Sequence, residues 1–219
     1  MNKKNSTRMN GGSAVSASSI RRRKKREKKR RRNRAIRILV VIILILLGAT
    51  LAIGIPYSRN QLHLPISSHV TDYEDTINEY AKEYGISEYT GLIEAVMMQE
   101  SKGRGNDPMQ AAEGNYNTQY PKRPGGIQNP EYSIDCGVHQ LADALEMAGC
   151  TGPEDQEKVM LALQGYNFGD GYITWAIENY GGYSEENAEE FAELMKKSLK
   201  TNTYGDKHYV KHVMRYYSY

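Results

Sequence analysis

Acidic residues are almost missing from the first 37 positions of this 219-residue chain, where Glu27 stands alone against 16 Lys/Arg. The overall charge of +3 therefore averages two opposite parts, because residues 56–219 hold 13 Lys/Arg against 25 Asp/Glu. Cysteine is scarce as well. Cys136 and Cys150 allow one disulfide at most. The segment between them, GVHQLADALEMAG, has a helical pattern, and fourteen residues of helix span about 21 Å. Bridged Cα atoms lie under ~7 Å apart, so the expectation is two free, mostly buried thiols, with a bridge open only to a much shorter helix. Metal-ligand patterns are lacking: His208 and His212 are four apart, but no acid makes an H-E-x-x-H arrangement and no cysteine cluster helps. No metal or organic cofactor is implied. Strand signal is scarce, at most a small hairpin inside 104–132, and no internal repeat is visible.

The chain does have one long apolar run. Residues 38–55, ILVVIILILLGATLAIGI, contain no charge over 18 positions, about the lower limit for crossing a hydrocarbon core of roughly 30 Å. The block RRRKKREKKRRRNRAIR abuts its N-terminal end, and the positive-inside rule keeps that end cytoplasmic. Topology determination and attraction to an anionic leaflet account for these charges without nucleic acid. A cleaved signal peptide is the alternative; the apolar run is longer than the usual h-region, and Ala52-Ile53-Gly54 is a weak cleavage site. The organisation read from the sequence is a basic, disordered cytoplasmic tail (1–37), a single-pass anchor (38–55), a stalk (56–69) and an extracytoplasmic domain of mostly helical character (70–219).

Within that domain, TDYEDTINEYAKEYG predicts a helix from a Thr71 cap to Gly85, and SEYTGLIEAVMMQESKG one from Ser87 to Gly103. Residues 104–132 hold four prolines and four glycines and keep no helical pattern; so long an irregular stretch in a compact domain is usually functional. SIDCGVHQLADALEMAG is helical at least from Val138. Pro153 can open the next helix, PEDQEKVMLALQGYN. GDGYITWAIENYG, SEENAEEFAELMKKSLK and YGDKHYVKHVMRYY complete the series.

One residue breaks the pattern. The second helix is apolar at Leu92, Ile93, Val96 and Met97, and the next inward position is Glu100. A carboxyl half-buried among apolar groups at a helix C-terminus is held protonated to higher pH, by desolvation and by the negative end of the helix dipole. That is what general-acid cleavage of an acetal requires. A solvent-facing glutamate paired with Lys102 or Arg104 is the plainer alternative.

Four short motifs follow in order: Glu100-Ser101 at a helix end, Gly-Val-His-Gln at 137–140, Gly-Tyr-Asn-Phe-Gly at 165–169 and Tyr-Val-Lys-His-Val at 209–213. This series resembles the goose-type lysozyme and lytic transglycosylase superfamily. With DPMQAAEG and NPEYSIDCGV it is more closely similar to the lysozyme-like domain of membrane-anchored wall hydrolases carried by conjugative elements of Gram-positive bacteria. The resemblance covers about residues 70–219 and implies a mostly α, lysozyme-like α+β fold with minimal β, preceded by one transmembrane helix. It implies cleavage of the β-1,4 bond between N-acetylmuramic acid and N-acetylglucosamine in peptidoglycan, with a conjugation or secretion apparatus as a possible partner. It makes Glu100 the catalytic acid, and Ser101, Gln140, Tyr166, Asn167 and Tyr209 substrate-binding residues. Hydrolysis normally uses a second carboxylate, for which Asp107 and Asp135 are the candidates and Glu113 a weaker one. A lytic transglycosylase needs none, since the sugar's own C6 hydroxyl closes the ring. A catalytically idle wall-binding scaffold is the reading from another class. Two departures stand out: Gly-Val-His-Gln replaces a Gly-Leu-Met-Gln-like turn, and Gln164-Gly165 precedes Tyr-Asn where alanine is usual.

Overall fold

The first described helix starts at a serine. In the computed structural model, which describes residues 63–217 and 219, the Ser67 hydroxyl accepts from the backbone N–H of His69 and opens α1 (Ser68–Thr71). Thr71, expected as a cap, instead closes this short helix, its hydroxyl donating to Ser68 O at 3.1 Å. The basic tail, the expected anchor at 38–55 and residues 56–62 of the stalk lie outside the described residues. Among the described residues no helix is long and apolar enough to cross a membrane.

Seven further helices follow: α2 (Glu74–Glu83), α3 (Thr90–Glu100), α4 (Pro130–Ala148), α5 (Gln156–Phe168), α6 (Asp170–Tyr180), α7 (Glu185–Leu199) and α8 (Tyr209–Val213). Single 3₁₀ turns form at Ser87–Tyr89 and Ala111–Glu113. No strand occurs among the described residues, so the hairpin allowed within 104–132 is absent. All these elements belong to one unit, Asn60–Tyr219.

Helix α4 reaches back past Val138 into the stretch read as irregular. It starts at Pro130 because Asn129 caps it by accepting from Glu131 and Tyr132 N–H while proline occupies the first turn. Proline is pre-set for that position and loses no hydrogen bond there. The helix stops at Gly149, whose φ of 70° turns the chain out. Around α4 pack α2, α5, α6 and the Ala111–Glu113 turn. Helix α3 lies against α1, α2 and α8 and buries Leu92, Ile93, Ala95, Val96, Met97 and Met98. A helix apolar on nearly every side is a core helix. Helix α7, by contrast, is amphipathic: it buries only Asn187, Ala188, Phe191 and Ala192, and a Ser184–Asn187 capping box starts it. Cys136, inside α4, is buried, Cys150, just past its end, partly so, and both are free.

Candidate functional site

Glu100 is the last residue of α3, and the chain leaves the helix immediately after it. Ser101 N–H and Lys102 N–H both bond Met97 O at 3.0 Å, and Lys102 and Gly103 take positive φ of 60° and 74°. Gly103 has no substitute there, since a Cβ would lie 2.6 Å from the His69 backbone. The Ser101 hydroxyl donates to Pro108 O at 2.7 Å and accepts from Gly103 and Arg104 N–H at 3.1 Å each. Ser101 thus folds the loop after α3 and lies outside the cavity lining.

That cavity, of about 500 Å³, is lined by Glu100, Gln110 and Glu113–Tyr116, Gln140 and Asp143 of α4, Tyr166–Phe168 of α5, Gly169, Asp170 and Tyr204. Four of the lining residues are carboxylic acids and none is Lys or Arg. The Glu100 carboxyl takes a 2.5 Å hydrogen bond from the Tyr209 hydroxyl. Burial pushes its pKa up to about 7; the Tyr209 bond works against this, and the charges of Asp107 and Asp206 add to it. Desolvation dominates because it removes water from a charge that one hydroxyl only partly replaces.

The other expected residues separate into those at the cavity and those behind it. Tyr209 is fully buried and stacks on Tyr166 at 6.3 Å. Tyr166 donates to Met109 O at 3.0 Å, tying α5 to the long loop. Gln140 donates to Tyr166 O at 3.0 Å and Asn167 accepts from Asp206 N–H at 2.6 Å, while both line the cavity. Asp107 is 4 % exposed, and its carboxylate accepts from Ala111 N–H, Ala112 N–H and the Ser133 hydroxyl at 2.9, 3.2 and 2.6 Å. It pins the Ala111–Glu113 turn to α4 and does not line the cavity. Asp135 also lies outside it, accepting from the Tyr84 hydroxyl. Glu113 lines it.

Both departures from the expected motifs have a packing reason. A Cβ at Gly165 would sit 2.4 Å from Ile173 Cγ1, so α5 and α6 meet too closely for alanine. His139, in the Gly-Val-His-Gln run, is sandwiched between Tyr84 at 4.2 Å and Tyr116 at 3.6 Å, with ring planes within 20°. Tyr116 donates to Asp143, one helical turn past His139, and Tyr84 to Asp135, one turn before it. The stack fixes Tyr116 and Asp143 in the cavity lining. Neither was singled out from the sequence, although the four-residue spacing of Asp135, His139 and Asp143 puts them on one helix face. His208 and His212 stand on α8 and its cap, His212 bonded to Asp206, and no group of metal-binding residues occurs among the described residues.

A family description, lysozyme-like, matches residues 67–218 of this chain. The chain belongs to the lysozyme-like family. It is 35 % identical over 151 residues to the bifunctional muramidase/DL-endopeptidase CwlT of Bacillus subtilis, covering 69 % of this chain and 42 % of CwlT. It is 34 % identical over 132 residues to the uncharacterized membrane protein YocA of the same organism, covering 60 % and 55 %. Among solved structures, a Staphylococcus aureus protein described as similar to lipoprotein, NLP/P60 family, superposes with a TM-score of 0.61 at 26 % identity, covering 71 % of this chain and 55 % of that one. The chain thus spans about half the length of these relatives.

Proposed function

We propose that this lysozyme-like domain is a muramidase, cleaving the β-1,4 bond between N-acetylmuramic acid and N-acetylglucosamine in peptidoglycan. The observation that carries the reading is the Glu100 carboxyl on the cavity surface, held near pH 7 by burial and aimed by Tyr209. At neutral pH such a group is about half protonated, the condition under which a general acid has a proton to give and force enough to give it. Glu100 protonates the glycosidic oxygen as the bond to the anomeric carbon breaks, and the ring passes through an oxocarbenium-like state. The muramidase activity named for CwlT supports the same reading.

The second carboxylate, if water is the acceptor, comes from the cavity surface. Asp107 has its oxygens engaged by two backbone N–H groups and a hydroxyl, and Asp135 faces Tyr84. Glu113, Asp143 and Asp170 are the carboxylates that share the cavity with Glu100. Because Asp107 and Asp135 are so engaged, transglycosylation with the same acid is the second reading. Gln140, Tyr166 and Asn167 border the substrate, with Tyr209 behind Glu100. The apolar run at 38–55, with its basic flank, fits a single-pass anchor with the N-terminus in the cytoplasm. The enzyme would then work on the wall beside the membrane, opening it for a conjugation or secretion apparatus. YocA's description as a membrane protein agrees with this.

The test is mass spectrometry of muropeptides released from purified peptidoglycan by the full chain in detergent, with Glu100→Gln beside it. Reducing muramic acid ends, lost in the variant, are expected. 1,6-Anhydro ends would replace hydrolysis by transglycosylation. No release by either protein would leave a wall-binding scaffold.

A further inference from the structure

Helix α8 has five residues, Tyr209–Val213, and a helix that short does not hold itself in water. Its first residue nevertheless delivers a hydroxyl to within 2.5 Å of Glu100 Oε1. The turn is held from the preceding loop, at Asp206. One oxygen of the Asp206 carboxylate closes the turn that leads into α8, accepting from His208 N–H at 2.9 Å; the other takes Nδ1 of His212, one turn on, at 2.5 Å. A carboxylate has no proton to offer, so the ring nitrogen donates.

The backbone of Asp206 is held just as firmly. Its N–H donates to Asn167 Oδ1 at 2.6 Å, and its C=O accepts from Gln164 Nε2 at 2.9 Å and from Tyr209 N–H at 3.1 Å. Gln164 and Asn167 stand one turn apart on α5, and Gln164 is fully buried. The loop fits against α5 so closely that a Cβ at Gly205, where φ is 46°, would lie 2.5 Å from the Phe168 ring and 2.7 Å from Asn167 Oδ1. Every hydrogen bond here acts on the segment that carries Tyr209.

We propose that Asp206 and His212, gripped by Gln164 and Asn167, form a positioning pair for Glu100: they set the Tyr209 hydroxyl on the carboxyl and so fix the pH at which that carboxyl releases its proton. The consequence for catalysis rests on Glu100 being the acid; the positioning itself does not. Charged and titratable neighbours of the pair are His208, whose ring meets that of His212 edge-on at 6.3 Å, Lys207, which pairs with Glu189, the Tyr183 and Tyr209 phenols, both pushed up in part by the Asp206 charge, and Glu100. Asp206 itself is a poor place to test the idea. Its charge raises the Glu100 pKa while the Tyr209 bond lowers it, so removing the carboxylate mixes opposite effects. His212 variants leave that charge in place.

The experiment follows the Glu100 carboxyl by ¹³C NMR in the full chain, labelled at glutamate and held in detergent micelles, with Glu100→Gln identifying the resonance. Tyr209→Phe is expected to raise the midpoint by about half to one pH unit, the size of one modest hydrogen bond. His212→Ala should move it the same way by a similar amount and add nothing when combined with Tyr209→Phe. His212→Asn, whose amide nitrogen can donate in place of Nδ1, should bring the midpoint back. A native midpoint in His212→Ala, an added shift in the double variant, or no restoration by asparagine would each overturn the proposal. His212 is only partly buried, and circular dichroism of each variant shows that the helices are intact. Muropeptide release from the same preparations separates the two readings: shifts as expected without release retire the catalytic role of Glu100 and leave the positioning standing.

Discussion

Replacing Glu100 by glutamine should make the domain more stable, and by an amount that depends on pH. Burial sets the pKa of Glu100 near 7, against 4.5 for a free glutamate. Each pH unit of difference is 1.36 kcal/mol, so the gap of about 2.5 units corresponds to about 3 kcal/mol. The sign follows from which state binds the proton more tightly. Below about pH 4 both folded and unfolded chains hold it, and the site carries no penalty. As pH rises from 4.5 toward 7 the unfolded chain loses its proton first, and the folded chain becomes progressively less favoured. Above 7 the penalty is complete. Glutamine keeps the shape and an oxygen to accept from Tyr209, but has nothing to ionise. The gain over the native protein should therefore be near zero at pH 4 and about 3 kcal/mol at pH 8. For a domain of this size that is about 6–12 °C in Tm. Thermal melting of both proteins in detergent, followed by circular dichroism at the two pH values, measures it. A Tm difference that is the same at pH 4 and pH 8 would refute the assignment of a raised pKa to Glu100.

Asp107→Asn should destabilise by about 1–3 kcal/mol, because an amide cannot accept from all of Ala111 N–H, Ala112 N–H and the Ser133 hydroxyl. It should also move the alkaline fall of activity to lower pH, since the Asp107 charge raises the Glu100 pKa; melting and a pH–rate profile check both. Asp135→Asn should leave the muropeptide products unchanged in kind and amount, as its carboxylate serves Tyr84. Gly165→Ala should cost about 1–3 kcal/mol by overpacking against Ile173. Part of that loss should return when Ile173→Ala is added, as melting of the single and double variants would show.

What the sequence made legible was periodic. Glu100 stood out because an apolar stripe pointed to its position, and α6 and α7 lie where caps and glycines put them. The sequence bounded the start of α4 only as Val138 or earlier, although both signals were present, Asn129 as cap and Pro130 at the first turn. Gly137 lies inside the helix for close packing, since a Cβ there would meet Met109 Cβ at 2.5 Å. The Tyr84–His139–Tyr116 stack joins the histidine to residues 55 and 23 positions before it in the chain, and no local pattern announces such a meeting. The same holds for the sequestered carboxylate of Asp107. An aspartate in a glycine-rich loop before a helix has the same spacing whether it faces a cleft or the protein's own N–H groups. Only the fold distinguishes them.

The surroundings of Glu100 share one physical logic. A carboxyl kept half protonated near neutral pH lowers stability once it ionises, and it retains its setting only if neighbouring segments cannot relax toward it. The chain supplies that restraint with polar side chains taken out of solvent. Ser101 knots the loop that leaves α3, Asp107 pins the next turn to α4, and Gln164 and Asn167 hold the Asp206 loop on α5. Their hydrogen bonds run mainly to backbone groups, and none of them bonds the Glu100 carboxyl. Lysine and arginine are absent from the cavity lining, and a cation there would pull the Glu100 pKa down by favouring its charged form. These polar groups, from the turn after α3, the long loop and α5, thus hold one acid where burial raises its pKa and no cation offsets it.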